Sequence, residues 1–324
     1  MGELKYYLAI DLGGTNIKAG IIDENGLIIK KKSIKTGKER IFLDVVNDMA
    51  KLCINLVNET EISFDKIEAI GIGAPGSIDS KNGVIIYSNN LNWNNVKITE
   101  ELFKLLGKRS FVTNDANAAA LGEAKYGSGK NYQDSVLITL GTGVGGGIVI
   151  DGKLFEGYKS AGAEVGHMVI IENGEQCTCG RKGCFEAYSS ATALIRDTKN
   201  SMKYHKNSLM WKISENDIEK ADGRTAFIAA REGDRYGKEV VDMYIQHLSE
   251  GIVNIVNILR PQVVILGGGV CNEGDYLLDP LRELVSLKMY GGCEYAPVEL
   301  KIASLGNDAG LLGAFAFALQ NLQN

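Results

Sequence analysis

Residues 11–16 read Asp11-Leu12-Gly13-Gly14-Thr15-Asn16 and separate two apolar runs, at 6–10 and 17–22. Short apolar runs bounded by glycine predict buried strands, so this stretch predicts a strand–turn–strand hairpin. Glycine has no Cβ, and a turn rich in glycine therefore lets several backbone N–H groups converge on one anion. The hairpin is thus a candidate phosphate-binding turn, and Asp11 beside it is placed to hold Mg²⁺ through water.

A second glycine turn repeats this arrangement in the middle of the chain. Residues 141–147 read Gly141-Thr142-Gly143-Val144-Gly145-Gly146-Gly147 and follow an apolar run at 135–140. The first six residues match the dinucleotide fingerprint G-x-G-x-x-G, which requires a helix after the turn. Here the β-branched stretch Ile148-Val149-Ile150 follows and leads into an Asp-Gly turn. The sequence therefore predicts a second hairpin and argues against a Rossmann site.

Strand-like and helix-like stretches alternate along the rest of the chain, which predicts an α/β protein. Apolar residues at helical spacing predict helices over 40–59, 100–106, 115–125, 238–259 and 308–322. Apolar runs predict strands over 67–72, 110–113, 263–266 and 298–303. A third glycine run, Gly267-Gly268-Gly269, follows one of these strands. Each half opens with strand, glycine turn and strand, so 324 residues at about 150 per domain predict two related units.

Composition and charge exclude several classes of protein. Apolar residues make up 45% and charged residues 23%, which is typical of a globular protein and not of a disordered one. The net charge of −5 argues against a nucleic-acid partner. The densest basic stretch, Lys30-Lys31-Lys32 to Arg40, predicts the solvated end of a strand. No apolar run approaches the ~20 residues that span a bilayer, and no signal sequence is evident, so we expect a cytoplasmic protein.

One histidine and three cysteines form a metal-ligand pattern. His167, Cys177, Cys179 and Cys184 are spaced H-x₉-C-x-C-x₄-C. Three thiolates and one imidazole complete a tetrahedral Zn²⁺ set, which leaves no position for water and therefore favours a structural metal. A redox pair would require C-x-x-C, which is absent from the sequence. The other three cysteines lie among apolar neighbours: Cys53, Cys271 and Cys293.

These motifs carry two resemblances. Residues 11–16, 141–147 and 266–269 resemble the phosphate 1, phosphate 2 and adenosine motifs of the actin, hexokinase and Hsp70 superfamily. The metal cluster, with Ala163-Glu164-Val165-Gly166-His167 at its start and Glu186 after it, resembles the signature of the ROK family (repressors, open reading frames and sugar kinases). Within that family it is most similar to the zinc-containing bacterial glucokinases.

The resemblance implies a fold and its division into lobes. The fold is an α/β, two-domain actin-like ATPase (ribonuclease H-like) fold with a cleft between the lobes. The smaller lobe would comprise residues 1–116 and 303–324. The larger lobe, which would carry the zinc motif, would comprise residues 117–302.

The resemblance also implies an activity, an ATP-dependent kinase that phosphorylates the 6-hydroxyl of glucose. It makes Asp115 the catalytic base, although an aspartate directly after a strand is by itself typical of a helix N-cap. The sugar ligands that it implies are Gly76, Asn90, Asn114, Asp115, Glu164, His167 and Glu186. The residues that would hold ATP and Mg²⁺ are Asp11, Gly13, Gly14, Thr15, Asn16, Lys18, Gly141, Thr142, Gly143, Gly145, Gly267, Gly268 and Gly269. Zinc would fix the ring of His167 and anchor Glu186.

Several alternatives stay open at this point. Fructose, mannose and an N-acetylated hexosamine are alternatives to glucose, because Asn89 and Asn92 stand where the family usually has proline and glycine in the sugar loop. Polyphosphate is an alternative to ATP. A ROK regulator that binds sugar and DNA requires a helix-turn-helix before the first strand, and only five residues precede Tyr6. The resemblance further implies a homodimer.

Overall fold

The computed structural model describes residues 4–292 and 294–322, so Cys293 lies outside the described residues. The chain forms two compact units. The first runs to Leu137 and includes Gly147–Ala163 and the residues from Ser304 onward, and the second comprises Ile138–Gly146 and Glu164–Ala303. Within the part of the chain that the structure describes, no helix is both long and apolar enough to cross a membrane. The lobe boundaries predicted at 116/117 and 302/303 stay a prediction.

Strands and helices alternate along the chain, as predicted. The strands are β1 Tyr6–Leu12, β2 Asn16–Asp23, β3 Ile28–Lys35, β4 Ile67–Ala74, β5 Ser77–Asp79, β6 Val84–Ser88, β7 Trp93–Val96, β8 Ser110–Asn114, β9 Ser135–Leu140, β10 Val144–Ile150, β11 Lys153–Phe155, β12 Val263–Gly267 and β13 Glu299–Ile302. The α-helices are α1 Phe42–Asn58, α2 Ile98–Leu106, α3 Asp115–Tyr126, α4 Glu186–Ser189, α5 Ala191–Tyr204, α6 Leu209–Ile213, α7 Thr225–Arg231, α8 Arg235–Leu259, α9 Asp275–Lys288 and α10 Ala309–Leu322.

The first sheet is mixed, with the strand order β3-β2-β1-β4-β8. β1 pairs antiparallel with β2 and parallel with β4. Leu8 and Ile10 of β1 belong to one core cluster with residues of α1 and α2, whereas Tyr7 packs with its ring 5.1 Å from that of Phe315 in α10. Because successive side chains of a strand point to opposite faces, β1 is covered on both sides. Its carboxyl end, which carries Asp11, is therefore held between two packed layers.

The edge strand β3 carries the basic stretch. Lys30 and Lys32 both pair with the carboxylate of Glu59, and Lys31 pairs with Asp308 at 2.6 Å. The prediction of a solvated strand end is confirmed. Charged side chains on an edge strand also discourage its pairing with another chain.

Helices α3 and α10 cross with their backbones in contact. A Cβ at Gly313 of α10 would lie 1.6 Å from the carbonyl oxygen of Ala118 in α3, and one at Gly122 of α3 would lie 2.4 Å from that of Ala309. Only glycine permits so close an approach at these two positions. Since α3 begins at Asp115, this crossing fixes where that carboxylate lies in the first unit.

The remaining strands form two further sheets. One has three antiparallel strands in the order β5-β6-β7, and the other has five strands in the order β11-β10-β9-β12-β13. Residues 141–143 connect β9 to β10, and the amide of Gly141 donates to the carbonyl of Gly143 at 3.0 Å. The second glycine turn is therefore a hairpin, as predicted, and no helix follows it as a Rossmann site requires.

Candidate active site and metal centre

The first glycine turn is closed by its own backbone and by Thr36. The amide of Gly13 donates to the carbonyl of Asn16 at 2.9 Å. The hydroxyl of Thr36 donates to the carbonyl of Gly13 at 2.6 Å. The backbone amide of Thr36 donates to the carbonyl of Thr15 at 2.9 Å. These bonds fix the backbone conformation of the turn, and one of them uses the amide of Gly13.

The same turn lies against the predicted sugar loop. A Cβ at Gly14 would lie 3.3 Å from the carbonyl oxygen of Asn90, so the two backbones are in close contact. Asn90 itself is exposed. Asn92, where the family usually has glycine, has a φ of 55°, a conformation that asparagine tolerates better than most residues. Asn92 therefore adopts a left-handed backbone conformation that glycine also adopts readily.

Asp11 lies beside the start of α10. Its carboxylate is 3.6 Å from the ammonium of Lys18, and a Cβ at Gly310 would lie 2.9–3.1 Å from its atoms. Burial raises the pKa of Asp11, and the charge of Lys18 opposes this rise. Lys18 also donates to the carbonyl of Asn307. Asp11 and Lys18, two predicted cofactor residues, thus lie together beside the loop at Asn307, which the sequence motifs do not include.

Asn114 is the N-cap of α3 and also holds the Gly76 loop. Its side-chain oxygen accepts from the amides of Ala116 and Asn117 at 2.9 and 3.3 Å, and its side-chain nitrogen donates to the carbonyl of Gly76 at 3.0 Å. Gly76 has a φ of 113°, and a Cβ there would lie 2.1 Å from a backbone oxygen of Tyr87. The sequence motifs indicate both residues, and the structure brings them into contact.

Asp115 is the first residue of α3 and is exposed. Its carboxylate accepts from the amide of Ala116 at 2.9 Å. The interpretation of Asp115 as an ordinary helix N-cap is wrong, because Asn114 fills that position with β-region dihedral angles and two side-chain bonds. The carboxylate of Asp115 therefore lies at the end of β8 without serving as the cap.

Glu156 is a residue of this half of the site that the sequence motifs do not indicate. Its carboxylate accepts from the hydroxyls of Thr113 and Ser80, at 2.8 and 2.6 Å. Thr113 directly precedes Asn114, and Ser80 follows β5. Glu156 thus connects the end of β8 to the end of β5 through hydrogen bonds. The sequence around Glu156 contains no motif that predicts this role.

In the second unit, the turn at residues 141–143 rests on the start of α5. The amide of Ala191 donates to the carbonyl of Gly141 at 2.8 Å, and the hydroxyl of Thr192 donates to that of Thr142 at 2.8 Å. Gly268, with a φ of 98°, would place a Cβ 2.2 Å from the carbonyl oxygen of Leu140. The third glycine run therefore packs directly on the strand that leads into the second glycine turn.

The predicted metal ligands converge. The ligand atoms of His167, Cys177, Cys179 and Cys184 all lie within 4.8 Å of one another. The sulfur of Cys177 is 3.7 Å from Nδ1 of His167, and those of Cys179 and Cys184 are 3.7 Å apart. A tetrahedral zinc with bonds of about 2.3 Å to sulfur has edges of about 3.8 Å between its ligand atoms. The four side chains thus fit a zinc ion.

Local backbone geometry forms the loop around this cluster. Gly183 has a φ of 81°, and a Cβ there would lie 1.7 Å from the carbonyl oxygen of Ile171. The amide of Cys177 donates to the carbonyl of Arg181 at 2.9 Å. Burial raises the pKa of Cys184 to about 12, whereas a backbone hydrogen bond from Arg181 lowers the pKa of Cys179. A bound cation would favour the thiolate form of both side chains.

Glu186 links the metal-ligand loop to the second glycine turn. One carboxylate oxygen accepts from the amide of Val144 at 3.0 Å. The other accepts from the hydroxyl of Thr178 at 2.9 Å and lies 3.6 Å from the sulfur of Cys177. A Cβ at Gly143 would lie 2.3 Å from the first oxygen, so glycine is needed there.

Glu164 and His167 lie next to each other in this unit. The amide of His167 donates to the carbonyl of Glu164 at 3.1 Å, and the side chain of Glu164 is exposed. A Cβ at Gly166 between them would lie 2.1 Å from the carbonyl oxygen of Val144. The predicted sugar ligands His167 and Glu186 therefore both adjoin the β10 end of the glycine turn.

Comparison with known proteins places these features in a family. The model of the ROK family matches residues 7–321. A glucokinase from Thermotoga maritima is 39% identical over 319 residues, which are 97% of each chain. A ROK family glucokinase from Streptomyces griseus, solved with glucose and AMPPNP, superposes with a TM-score of 0.78 at 32% identity, covering 97% of this chain and 99% of that one. A ROK hexokinase from Thermus thermophilus gives a TM-score of 0.83 at 31% identity, covering 98% and 99%.

The two superposed structures cover nearly all of the strands and helices of this chain. The predicted α/β fold of the actin-like ATPases is confirmed, because the superposed ROK sugar kinases have that fold. The family model also spans both glycine hairpins, the metal-ligand loop and the third glycine run. This chain is a member of the ROK family.

Proposed function

We propose that this protein is a glucokinase, which transfers the γ-phosphoryl group of ATP to the 6-hydroxyl of glucose and releases ADP and glucose 6-phosphate. The observation that carries the proposal is the match at 39% identity to a glucokinase over nearly the full length of both chains. Such a match covers every predicted site segment in both units. It favours glucose over the other hexoses, and the AMPPNP in the structure of the Streptomyces griseus glucokinase supports ATP as the phosphoryl donor.

We propose Asp115 as the catalytic base. As O6 of glucose attacks the γ-phosphorus, its proton passes to the carboxylate of Asp115, and the bond between that phosphorus and the β–γ bridging oxygen of ATP breaks. A positioned base of this kind contributes typically about 10²–10⁴-fold to the rate. Support comes from the position of the carboxylate, exposed at the end of β8 and not used as a helix cap.

The sugar is assigned to side chains that offer fixed donors and acceptors. In the first unit, Asn114 is hydrogen-bonded to the Gly76 loop, and Asn90 lies against Gly14. In the second unit, Glu186 is hydrogen-bonded to the amide of Val144, and Gly166, next to His167, packs on its carbonyl. The proposed sugar-binding residues are Gly76, Asn90, Asn114, Asp115, Glu164, His167 and Glu186.

ATP and its Mg²⁺ are assigned to the glycine turns. Amides of the turns would bind phosphate oxygens, and the partly buried carboxylate of Asp11 would hold the metal through water. The proposed residues are Asp11, Gly13, Gly14, Thr15, Asn16, Lys18, Gly141, Thr142, Gly143, Gly145, Gly267, Gly268 and Gly269.

The metal cluster is assigned to zinc with a structural role. His167, Cys177, Cys179 and Cys184 would hold the ion, because their spacing matches the edges of a tetrahedral site. When bound, zinc would cross-link the loop and fix the orientation of the imidazole ring of His167. It would not contact the reacting groups. His167 then presents its second ring nitrogen to the sugar, while Glu186 stays anchored beside Cys177.

We also propose that the protein is a homodimer and that it lies in the cytoplasm. The family resemblance supports the homodimer.

ATP-coupled turnover across a panel of sugars tests the proposed function. The purified protein should release ADP fastest with glucose, more slowly with mannose and fructose, and more slowly still with N-acetylated hexosamines. Polyphosphate in place of ATP should support little transfer. A protein that turns over another hexose faster would lose its assignment as a glucokinase, and one that phosphorylates no sugar would not be a kinase of this kind.

A further inference from the structure

Thr178 stands between two of the metal ligands and directs its hydroxyl to Glu186. It lies between Cys177 and Cys179 in sequence, and its Oγ1 donates to the Oε1 atom of Glu186 at 2.9 Å. The same oxygen lies 3.6 Å from the sulfur of Cys177. Thr178 is exposed, and its Oγ1 also lies 4.0 Å from the sulfur of Cys177, so the bond to Glu186 is the shorter of its two side-chain contacts.

The opposite oxygen of the carboxylate is fixed by a different segment. Oε2 of Glu186 accepts from the amide of Val144 at 3.0 Å, directly after the turn at residues 141–143. A Cβ at Gly143 would lie 2.3 Å from this oxygen, so the carboxylate and the turn are in van der Waals contact. A carboxylate bound at both ends cannot rotate freely, yet it retains lone pairs for a further donor such as a sugar hydroxyl.

We propose that Thr178 is a positioning residue for phosphoryl transfer: its hydroxyl aims Glu186, which in turn holds the Val144 amide and so couples the sugar ligand to the second glycine turn. This inference rests on the proposed function, which makes Glu186 a sugar ligand and the turn a phosphate ligand. Thr178 touches neither substrate in this assignment. It acts through Glu186 alone.

The coupling has a thermodynamic consequence. Glucose bound to Glu186 further immobilises the carboxylate and with it the Val144 amide, so the turn is better ordered before the nucleotide arrives. Glucose should then tighten the binding of a non-hydrolysable ATP analogue, and the analogue should tighten the binding of glucose by the same factor. Without the hydroxyl of Thr178, the carboxylate gains freedom and this factor should fall towards one.

The test compares Thr178→Val, which replaces the hydroxyl by a methyl group at nearly the same volume, with Thr178→Ser, which keeps the hydroxyl. Zinc content and melting temperature are measured first, and then the affinity for glucose and for the ATP analogue, each alone and with the other present. These are binding measurements and require no turnover. The valine variant should keep its zinc, bind glucose about tenfold more weakly and lose most of the coupling. The serine variant should stay within about twofold of wild type.

Three results would overturn the inference. The first is a valine variant with wild-type glucose affinity and coupling. The second is a serine variant that falls as far as the valine variant, because the hydroxyl would then not be the cause. The third is loss of zinc from both Thr178→Val and Thr178→Ala, because the hydroxyl would then serve the metal-ligand loop and not Glu186.

Failure of the inference is distinct from failure of the proposed function. If wild type phosphorylates glucose while the valine variant matches it in both affinities, only the role of Thr178 is refuted. If wild type neither binds nor phosphorylates glucose, the proposed function is refuted and the inference with it.

Discussion

Asp11 is a partly buried aspartate, and its partial burial disfavours the charged form of the carboxylate. Burial raises its pKa more than Lys18 lowers it, so the folded chain binds this proton more readily than the unfolded chain does. The stabilising contribution of such a group is fully present below the ordinary aspartate pKa of about 3.9, and it is lost as the pH rises through the folded-state pKa. At neutral pH the ionised Asp11 therefore destabilises the fold.

Replacing Asp11 by asparagine removes this effect. We expect Asp11→Asn to unfold at a higher urea concentration than wild type at neutral pH, and we expect this difference in urea concentration to narrow as the pH falls towards the ordinary aspartate pKa of about 3.9. It should also lose activity, because Asp11 is the proposed Mg²⁺ residue. Asp44→Asn, which removes an exposed carboxylate from the same unit, is the control. An Asp11→Asn protein less stable than wild type at neutral pH would contradict the account.

Asp115 is proposed to accept a proton and not to hold the fold together. Asp115→Asn should therefore lower kcat by about 10²–10⁴-fold while glucose affinity and melting temperature change little. Single-turnover kinetics gives the rate of the chemical step, and titration calorimetry gives glucose affinity. Retention of most of the activity would show that another group takes the proton.

Residues inside contiguous motifs could be predicted from sequence, because a motif keeps its members close along the chain. The four metal ligands, His167, Cys177, Cys179 and Cys184, are such residues, and their ligand atoms lie within 4.8 Å of one another. Glu156 and Asn307 could not be predicted, since their partners Thr113 and Lys18 lie 43 and 289 positions away. Contacts over such separations are set by packing, which no local pattern encodes.

At the scale of elements, the crossing of α3 and α10 places Asp115. Gly313→Ala would force a Cβ to within 1.6 Å of the Ala118 carbonyl oxygen, so the helices must move apart. We expect a loss of at least about 1–3 kcal/mol in unfolding free energy, as for an overpacked core, together with a fall in kcat. Gly223→Ala is the control, because a Cβ there meets nothing within 4 Å. Urea unfolding measures both variants, and equal effects would contradict this view of the crossing.

The hairpins could be predicted because glycine turns and apolar runs coincide in sequence. The sheet β5-β6-β7 could not, since its strands are short and β7, Trp93–Val96, carries two asparagines. Helix α9 was not predicted either, because Pro280 lies inside it, although its buried residues Leu277, Leu278, Leu281 and Val285 recur at helical spacing. In both elements tertiary packing overrides weak local preference.

At the scale of the whole molecule, the metal is expected to stabilise the second unit and its sugar ligands together. Chelation, or Cys184→Ser, should remove about one zinc per chain. It should lower the melting temperature by about 5 °C or more and weaken glucose binding in parallel. Cys53→Ala, a buried cysteine of the α1 core, is the control and should keep its zinc and its glucose affinity. A metal-free protein with unchanged glucose affinity would contradict the proposed role of zinc in orienting His167 and Glu186.

The proposed reaction of this protein is the transfer of a phosphoryl group from ATP to a sugar oxygen. Phosphorus NMR of the purified protein with ATP, Mg²⁺ and glucose observes this transfer directly. We expect the γ-phosphate signal of ATP to decline while a phosphomonoester signal at O6 of glucose and the signals of ADP grow in equal amounts. Growth of inorganic phosphate instead, or of an ester at another glucose hydroxyl, would contradict the account.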